Sequence, residues 1–329
     1  MKQLSYQIKF LTPAFLGDAE QQGRWRTPPF KALLRQWWRV VYAAEHNFQV
    51  DHQTMLRDEG ELFGCASDKF TSKSQILLRL EPALDTTSLA WTPGTHDGVK
   101  PLSTGLDTGY AWFGLIDSKT KKALRTGIAT NPEEGTRRLK LALPEKESER
   151  IAIVMRLIAG FGQMGARSRG GWGSIHIPGI EPLTDADLTR YARSLNDCLG
   201  TDWPMSLAID DKGICLWYGA RRYNSWDKAM QAIALERSTA RKSLKSILGR
   251  DLRSVLGFAK GKTRMASPLR WRVSRNPDDS LGLIVFAMPS CIPRDGQQQI
   301  SPKDTAAAWY QVVNTLDQSA RFNARSTAN

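Results

Sequence analysis

The residues best suited to chemistry in this sequence are cations set among tryptophans and glycines. Arg24-Trp25-Arg26 precedes Thr27-Pro28-Pro29-Phe30, and Lys31, Arg35 and Arg39 follow at intervals of four. That interval keeps side chains on one helix face, so the three predict a cationic row able to follow a phosphate backbone. Leu34, Trp38 and Val41 fall mainly on another face and predict a stripe packed on a sheet. Trp25, upstream in a loop, is expected to present an exposed indole for stacking on a base. An ordinary amphipathic helix with a solvated basic side fits the same spacing, and on spacing alone it is the stronger reading.

A second constellation is Gly160-Phe161-Gly162-Gln163-Met164-Gly165-Ala166-Arg167-Ser168-Arg169-Gly170-Gly171-Trp172-Gly173. Glycines let a backbone approach a ligand closely, and successive free N–H groups can form an anion nest. Arg167 and Arg169 add guanidinium forks suited to phosphate, and Ser168 adds a hydroxyl. The expected cradle is Gly165, Gly170, Gly171 and Gly173; a flexible surface loop is the plain alternative. No Lys-Ser/Thr pair follows the last glycine and the segment follows a helix, so neither a Walker loop nor a dinucleotide fold is supported. A third candidate is the basic run from Arg237 to Arg275, with Lys262 and Arg264 as phosphate contacts; solvated charge on a helix explains it equally well. Gly261-Lys262-Thr263 imitates the end of a P-loop, but Leu256 stands where that motif needs glycine.

Signals for catalysis are weak. His46 and His52 read as a polar linker after a helix, and His96 has no partner spacing. His176 sits in a predicted strand, from which it could serve as a general base on an RNA 2′-hydroxyl. Asp18 and Glu20 share a loop, where solvated acids are common. Cys65, Cys198, Cys215 and Cys291 form no C-x-x-C pair, so neither zinc nor a disulfide framework is supported, and a reducing cytoplasm fits best. No metal and no cofactor are expected. The 329 residues carry 46 Lys plus Arg against 33 Asp plus Glu, a net charge of +13 that argues for a polyanionic partner, nucleic acid or an anionic membrane, with a soluble enzyme that happens to be basic as the plain alternative. No stretch approaches the ~20 apolar residues of a membrane span.

Period-two alternation predicts strands at Leu4–Phe10, Ile76–Leu80 and Leu269–Val273, the last only half-buried, with Arg270 and Arg272 turned outward. Residues 91–131 read as loops and short strands. Pro28 and Pro29 open a helix to about His46, and Ser148 is expected to cap one bearing Ile151, Met155 and Ile158. Ser174–Ile177 reads as a short strand. Thr184 and Asp187 predict a capping box for a helix through Leu195. A strand at 214–218, a helix at 225–248, a doubly buried strand at 283–288 and a helix from Ser301 complete the chain. The order suits an α+β class with ferredoxin-like units, divided at residues 1–180 and 181–329.

Three stretches together resemble a known family: Thr12-Pro13-Ala14-Phe15-Leu16-Gly17, Arg24 to Arg39, and Gly165 to Gly173, with Glu61-Leu62-Phe63-Gly64 and Arg264-Met265-Ala266-Ser267-Pro268-Leu269 between and after them. The chain resembles the RAMP superfamily, and within it the first-numbered subunits of type III-B CRISPR (Cmr) RNA-targeting effectors. Ala32 stands where that family usually has glycine, and Arg169 alone where it has two arginines. The resemblance implies two ferredoxin-like (RRM-related) RAMP domains with a glycine-rich loop. It implies a non-catalytic subunit that holds the 3′ part of a guide RNA and the paired target RNA, with other effector subunits as partners and no membrane. The alternative is a metal-independent endoribonuclease that processes guide RNA.

Overall fold

Leu4, Tyr6, Ile8 and Phe10 turn to one side of a strand, β1 (Lys2–Phe10), while Gln3, Ser5, Gln7 and Lys9 turn to the other. The computed structural model describes residues 1–67, 70–82, 92, 109–117, 119–120, 122–132, 134–260, 263–293 and 300–325. Contacts divide the chain into two units. Met1–Pro93, Arg125–Ser168 and Trp172–Leu183 form the first; Gly94–Leu124, Arg169–Gly171 and Thr184–Asn329 form the second.

In the first unit β1 leads to α1 (Thr27–Glu45), whose first turn holds both prolines, where a missing N–H costs nothing. There follow α2 (His52–Phe63), β2 (Leu77–Glu81), β3 (Thr136–Leu143), α3 (Ser148–Phe161) and β4 (Ile175–His176). The sheet runs β2-β3-β1-β4 and every pairing is antiparallel. Strand, helix, two strands, helix and strand in that spatial order is the ferredoxin-like arrangement. Ile8, Phe10, Leu139, Leu141 and Leu143 form its buried side, against α1 and α3. Trp37 of α1 is fully buried and stacks on Phe161 of α3, with centroids 5.5 Å apart.

Two expectations change here. The segment read as a linker after His46 is α2, started by Asp51, whose carboxylate accepts the Thr54 N–H at 2.9 Å. Ser148 does not cap α3. The chain enters α3 through a short 3₁₀ turn, Glu145–Glu147, and Ser148 is the first helical residue. Of the 91–131 segment, Gly109–Trp112 forms a helical turn; His96 lies outside the described residues.

The second unit is built around β5 (Leu216–Tyr218), α4 (Trp226–Lys242), β6 (Leu269–Arg275), β7 (Leu281–Ala287) and α5 (Pro302–Asp317). Its main sheet runs β5-β7-β6, all antiparallel. After α5 the chain returns to β5, where Phe322 bridges Gly219 and the Asn323 N–H donates to the Tyr218 carbonyl at 2.9 Å. This is a ferredoxin-like order with its fourth strand reduced to a bridge. The Thr184–Asp187 capping box forms, but its helix stops at Leu188; a 3₁₀ turn and the strand Ala192–Ser194 intervene before a new helix at Leu195. Trp217 donates to Asp317 of α5 at 2.8 Å, and Trp271 lies across the sheet from Val285, Trp217's partner, so both indoles face the helices. Arg270 and Arg272 therefore face the opposite side. Neither is solvated, being 4% and 2% exposed. β6 is buried on both faces rather than half-buried.

Trp37→Ala removes the largest side chain from the α1–α3 contact and leaves a cavity. We expect a loss of about 3–5 kcal/mol in urea denaturation of the full chain; a loss below ~1 kcal/mol contradicts its central packing role.

Candidate nucleic-acid interface

The predicted cationic row of α1 forms, but it is not a row of free charges. Arg35 and Arg39 both reach Glu59 of α2, a carboxylate only 1% exposed. Arg35 Nε donates to one oxygen at 2.5 Å, Arg39 Nη2 donates to the same oxygen at 2.8 Å, and Arg39 Nε donates to the other. Burial alone pushes the Glu59 carboxyl up, but the hydrogen bonds from Arg39 and Arg35 outweigh it and hold the group below its usual range. Both arginines stay about a third exposed at their side chains, 34% and 39%. They therefore keep one surface while neutralised in part from beneath. Half-buried Lys31 is lowered by burial and by Arg35. Three cations and one buried acid leave a net charge of two on this face.

Trp25 is a correction. It is 1% exposed, its Nε1 donates to the Glu134 carbonyl at 2.7 Å, and its ring lies 4.7 Å from Phe10 and 5.9 Å from Phe30. The Arg137 guanidinium covers it at 5.5 Å. An indole enclosed by two rings and a cation cannot stack on a base. Its neighbours Arg24 and Arg26 are exposed. Arg24 pairs with Asp18 at 3.0 Å; Arg26 has no carboxylate partner among the described residues.

The glycine-arginine loop follows α3 as expected, but its backbone is committed to the protein. The Ala166 and Gly173 N–H groups donate to the Phe15 and Pro13 carbonyls at 3.0 Å each, and Met164 N–H donates to Gly173 O at 3.1 Å. An anion nest needs these amides free, so the loop is not one. Its glycines serve close packing instead. Gly173 has φ 61°, and a Cβ there would strike the Met164 carbonyl; Gly171 has φ 103°, and a Cβ there would come 2.7 Å from Met230 Sδ. Trp172 is buried against Phe15, edge to face at 5.3 Å.

What the loop presents outward is Gly165 and Arg167, both exposed, with Ser168 half-buried. Arg167 holds φ 60°, a left-handed conformation that costs a residue with a Cβ roughly 1 kcal/mol or more. Arg169 turns inward. Its Nη1 donates to the Ser267 carbonyl at 3.0 Å, its own carbonyl accepts the Trp271 N–H at 3.1 Å, and Gly170 bridges Trp271. Burial lowers its pKa. In the second unit, Arg264 is exposed on the hairpin Phe258–Lys260/Thr263–Met265, and Lys262 lies outside the described residues.

One surface escaped the sequence. Among the described residues no helix covers the outer side of the first unit's sheet, where Gln3, Ser5, Gln7 and Lys9 of β1 lie across from Ala142, Lys140, Arg138 and Thr136 of β3. Arg79 of β2 adjoins Lys140, and both pair with Glu81, at 3.5 and 2.9 Å. Half-buried His176 pairs with Lys9 at the edge. The alternation Arg138-Leu139-Lys140-Leu141 carries this signal. Among the described residues no group of three His, Cys, Asp or Glu side chains is placed to hold a metal, and no helix is long and apolar enough to cross a membrane.

Glu59 supplies a pH test. Its depressed pKa means that its stabilisation is complete above the usual glutamate range and is lost as pH falls through the lower folded value. Glu59→Gln should cost about 2 kcal/mol at neutral pH, and the gap to wild type should close in acid. A gap that is constant with pH, measured by thermal unfolding, refutes the clamp.

Comparison with curated proteins finds no match. Among solved structures, the crystal structure of Cmr1 from Pyrococcus furiosus superposes with a TM-score of 0.55 at 18% identity, covering 96% of this chain and 97% of that one. A chain in a cryo-EM structure of the type III-B Cmr-beta complex bound to cognate target RNA gives 0.51 at 12% identity, covering 95% and 99%. At these identities the likeness is one of fold, and it extends over both ferredoxin-like units. The model of the RAMP superfamily matches residues 7–176, more than half of the sequence, and the chain belongs to that superfamily.

Proposed function

We propose that this chain is a non-catalytic RNA-binding subunit of a type III-B CRISPR ribonucleoprotein, holding the 3′ part of the guide RNA and the paired target. Superfamily membership supports the reading, as does a fold shared from end to end with chains of that assembly. The net charge of +13 supports a polyanionic partner.

The observation that carries it is Arg167. A loop pinned by backbone bonds and glycine packing places exposed Arg167 in a backbone conformation that arginine rarely adopts. Ser168 stands beside it, and the Lys31, Arg35 and Arg39 face, with Arg24 and Arg26, supplies further phosphate contacts on the first unit. On the second unit Arg264 is available in the same role. Trp25 takes no part.

Arg167→Gly separates binding from folding. Glycine relieves the left-handed strain, so the variant should be as stable as wild type or more so. Its affinity for a guide–target RNA should fall roughly tenfold, the worth of one charge-assisted contact, with a salt slope shallower by about 0.7–0.9. Unchanged affinity in a folded variant defeats the reading. Cleavage of repeat RNA in EDTA that disappears in His176→Ala would replace it with a guide-processing endoribonuclease.

A further inference from the structure

We infer that Arg270, with Arg169 beside it, forms a buried site for one phosphate group of an RNA backbone in the second unit. The inference rests on the RNA-binding reading above and adds a residue that reading does not use.

Arg270 is 4% exposed. Its Nε has no hydrogen-bond partner, and no carboxylate lies within ion-pair distance of it among the described residues. Its guanidinium carbon lies 5.9 Å from the centre of the Phe286 ring. Among the described residues the charge that acts on it is that of Arg169, which has the same sign. Arg169 is carried there by the Gly170–Trp271 bridge and the 3.1 Å bond from Trp271 N–H to its carbonyl. The Arg169 fork meets a neutral acceptor, the Ser267 carbonyl, and no acid among the described residues. Burial, with Arg169 as the second cause, pushes the Arg270 pKa well below its ordinary value.

Arg325 in the same unit shows how this fold treats a buried guanidinium that is complete. Its side chain is 2% exposed and its nitrogens reach both oxygens of Asp210 and of Asp317, at 2.8–3.0 Å. There the carboxylates win and the pKa is raised. Arg270 bears a similar desolvation cost without such compensation, and it adds like-charge repulsion. An anion with several oxygen acceptors placed between the two forks removes both penalties at once. Arg169, only half-buried, connects that position with solvent. Arg270 also projects from the sheet face opposite the helices.

The test uses the full chain and inorganic phosphate as probe. At matched ionic strength, low-millimolar phosphate should raise the wild-type Tm above that in chloride. Arg270→Met should lose this increment and, in chloride alone, melt no lower than wild type. Equal wild-type Tm values in phosphate and chloride overturn the site whatever the variants do, as does an increment retained in Arg270→Met. Should the Met variant not fold, Arg270→Lys replaces it, since lysine keeps the charge and loses the fork; a full increment there overturns the assignment and a reduced one supports it. With guide RNA, Arg270→Met should bind more weakly, with a salt slope lower by about 0.7. Unchanged RNA affinity with a lost phosphate increment overturns RNA as the source of the phosphate. Failure of the wild-type chain to bind RNA at all defeats the proposed function instead, and the phosphate arm stands apart from it.

Discussion

Carboxylates are the scarce resource in this chain. With 46 cationic side chains and 33 acidic ones, at least 13 cations must go without an acid of their own, since 46 less 33 is 13. Burying a charge costs several kcal/mol unless it is paired, so the placement of the few buried acids decides which cations are structural and which face outward. Glu59 holds two arginines of α1. Asp210 and Asp317 are spent on Arg325, and Asp304 pairs with Arg250. Asp18 takes Arg24. Among the cations left over, Arg26, Arg138 and Arg264 are exposed, whereas Arg270 is buried without a carboxylate among the described residues. Surface charge with this origin is the remainder of an internal allocation, which explains why counting lysines and arginines along the sequence locates it poorly.

The fold was legible wherever one residue type dominated a face. β1 and β7 followed from apolar alternation or an apolar run, and α1 and α5 from a proline start and a 3.6-residue stripe. β3 was missed because Thr136-Arg137-Arg138-Leu139-Lys140 places charge on both sides of the strand, and Arg137 is buried as a lid on Trp25 rather than solvated. α2 was missed because His46 to Asp58 is mostly polar, with Phe48, Val50, Met55 and Leu56 its apolar side chains, and its decisive residue, Glu59, acts through arginines 20 and 24 positions away.

The site was legible in its parts and not in their orientation. The glycine-arginine loop was found, but glycine reports only that a Cβ is unwelcome, not whether a ligand or the protein's own backbone fills the space. Here Phe15, Met164 and Met230 fill it. Arg167 and Arg169 are two residues apart and have the same chemistry, yet one faces water and the other lines β6. Trp25 stands between two exposed arginines and is buried. Tertiary contact, not local composition, separates the members of each pair.

The bridge between Phe322 and Gly219, with Arg325 just beyond it, gives the second unit a definite order of assembly. β5 is made more than a hundred residues before the segment that completes its edge, and Asp210 waits equally long for its counter-ion. While the chain is being synthesised, Trp217, Asp210 and Asp317 are present without the guanidinium that lets them be buried together. The ion pair that completes the unit therefore forms only after residue 325 has left the ribosome, whereas the first unit has all its residues by about residue 183. The late strand thus acts as a latch in time: partner molecules that recognise the closed second unit meet only chains translated through it.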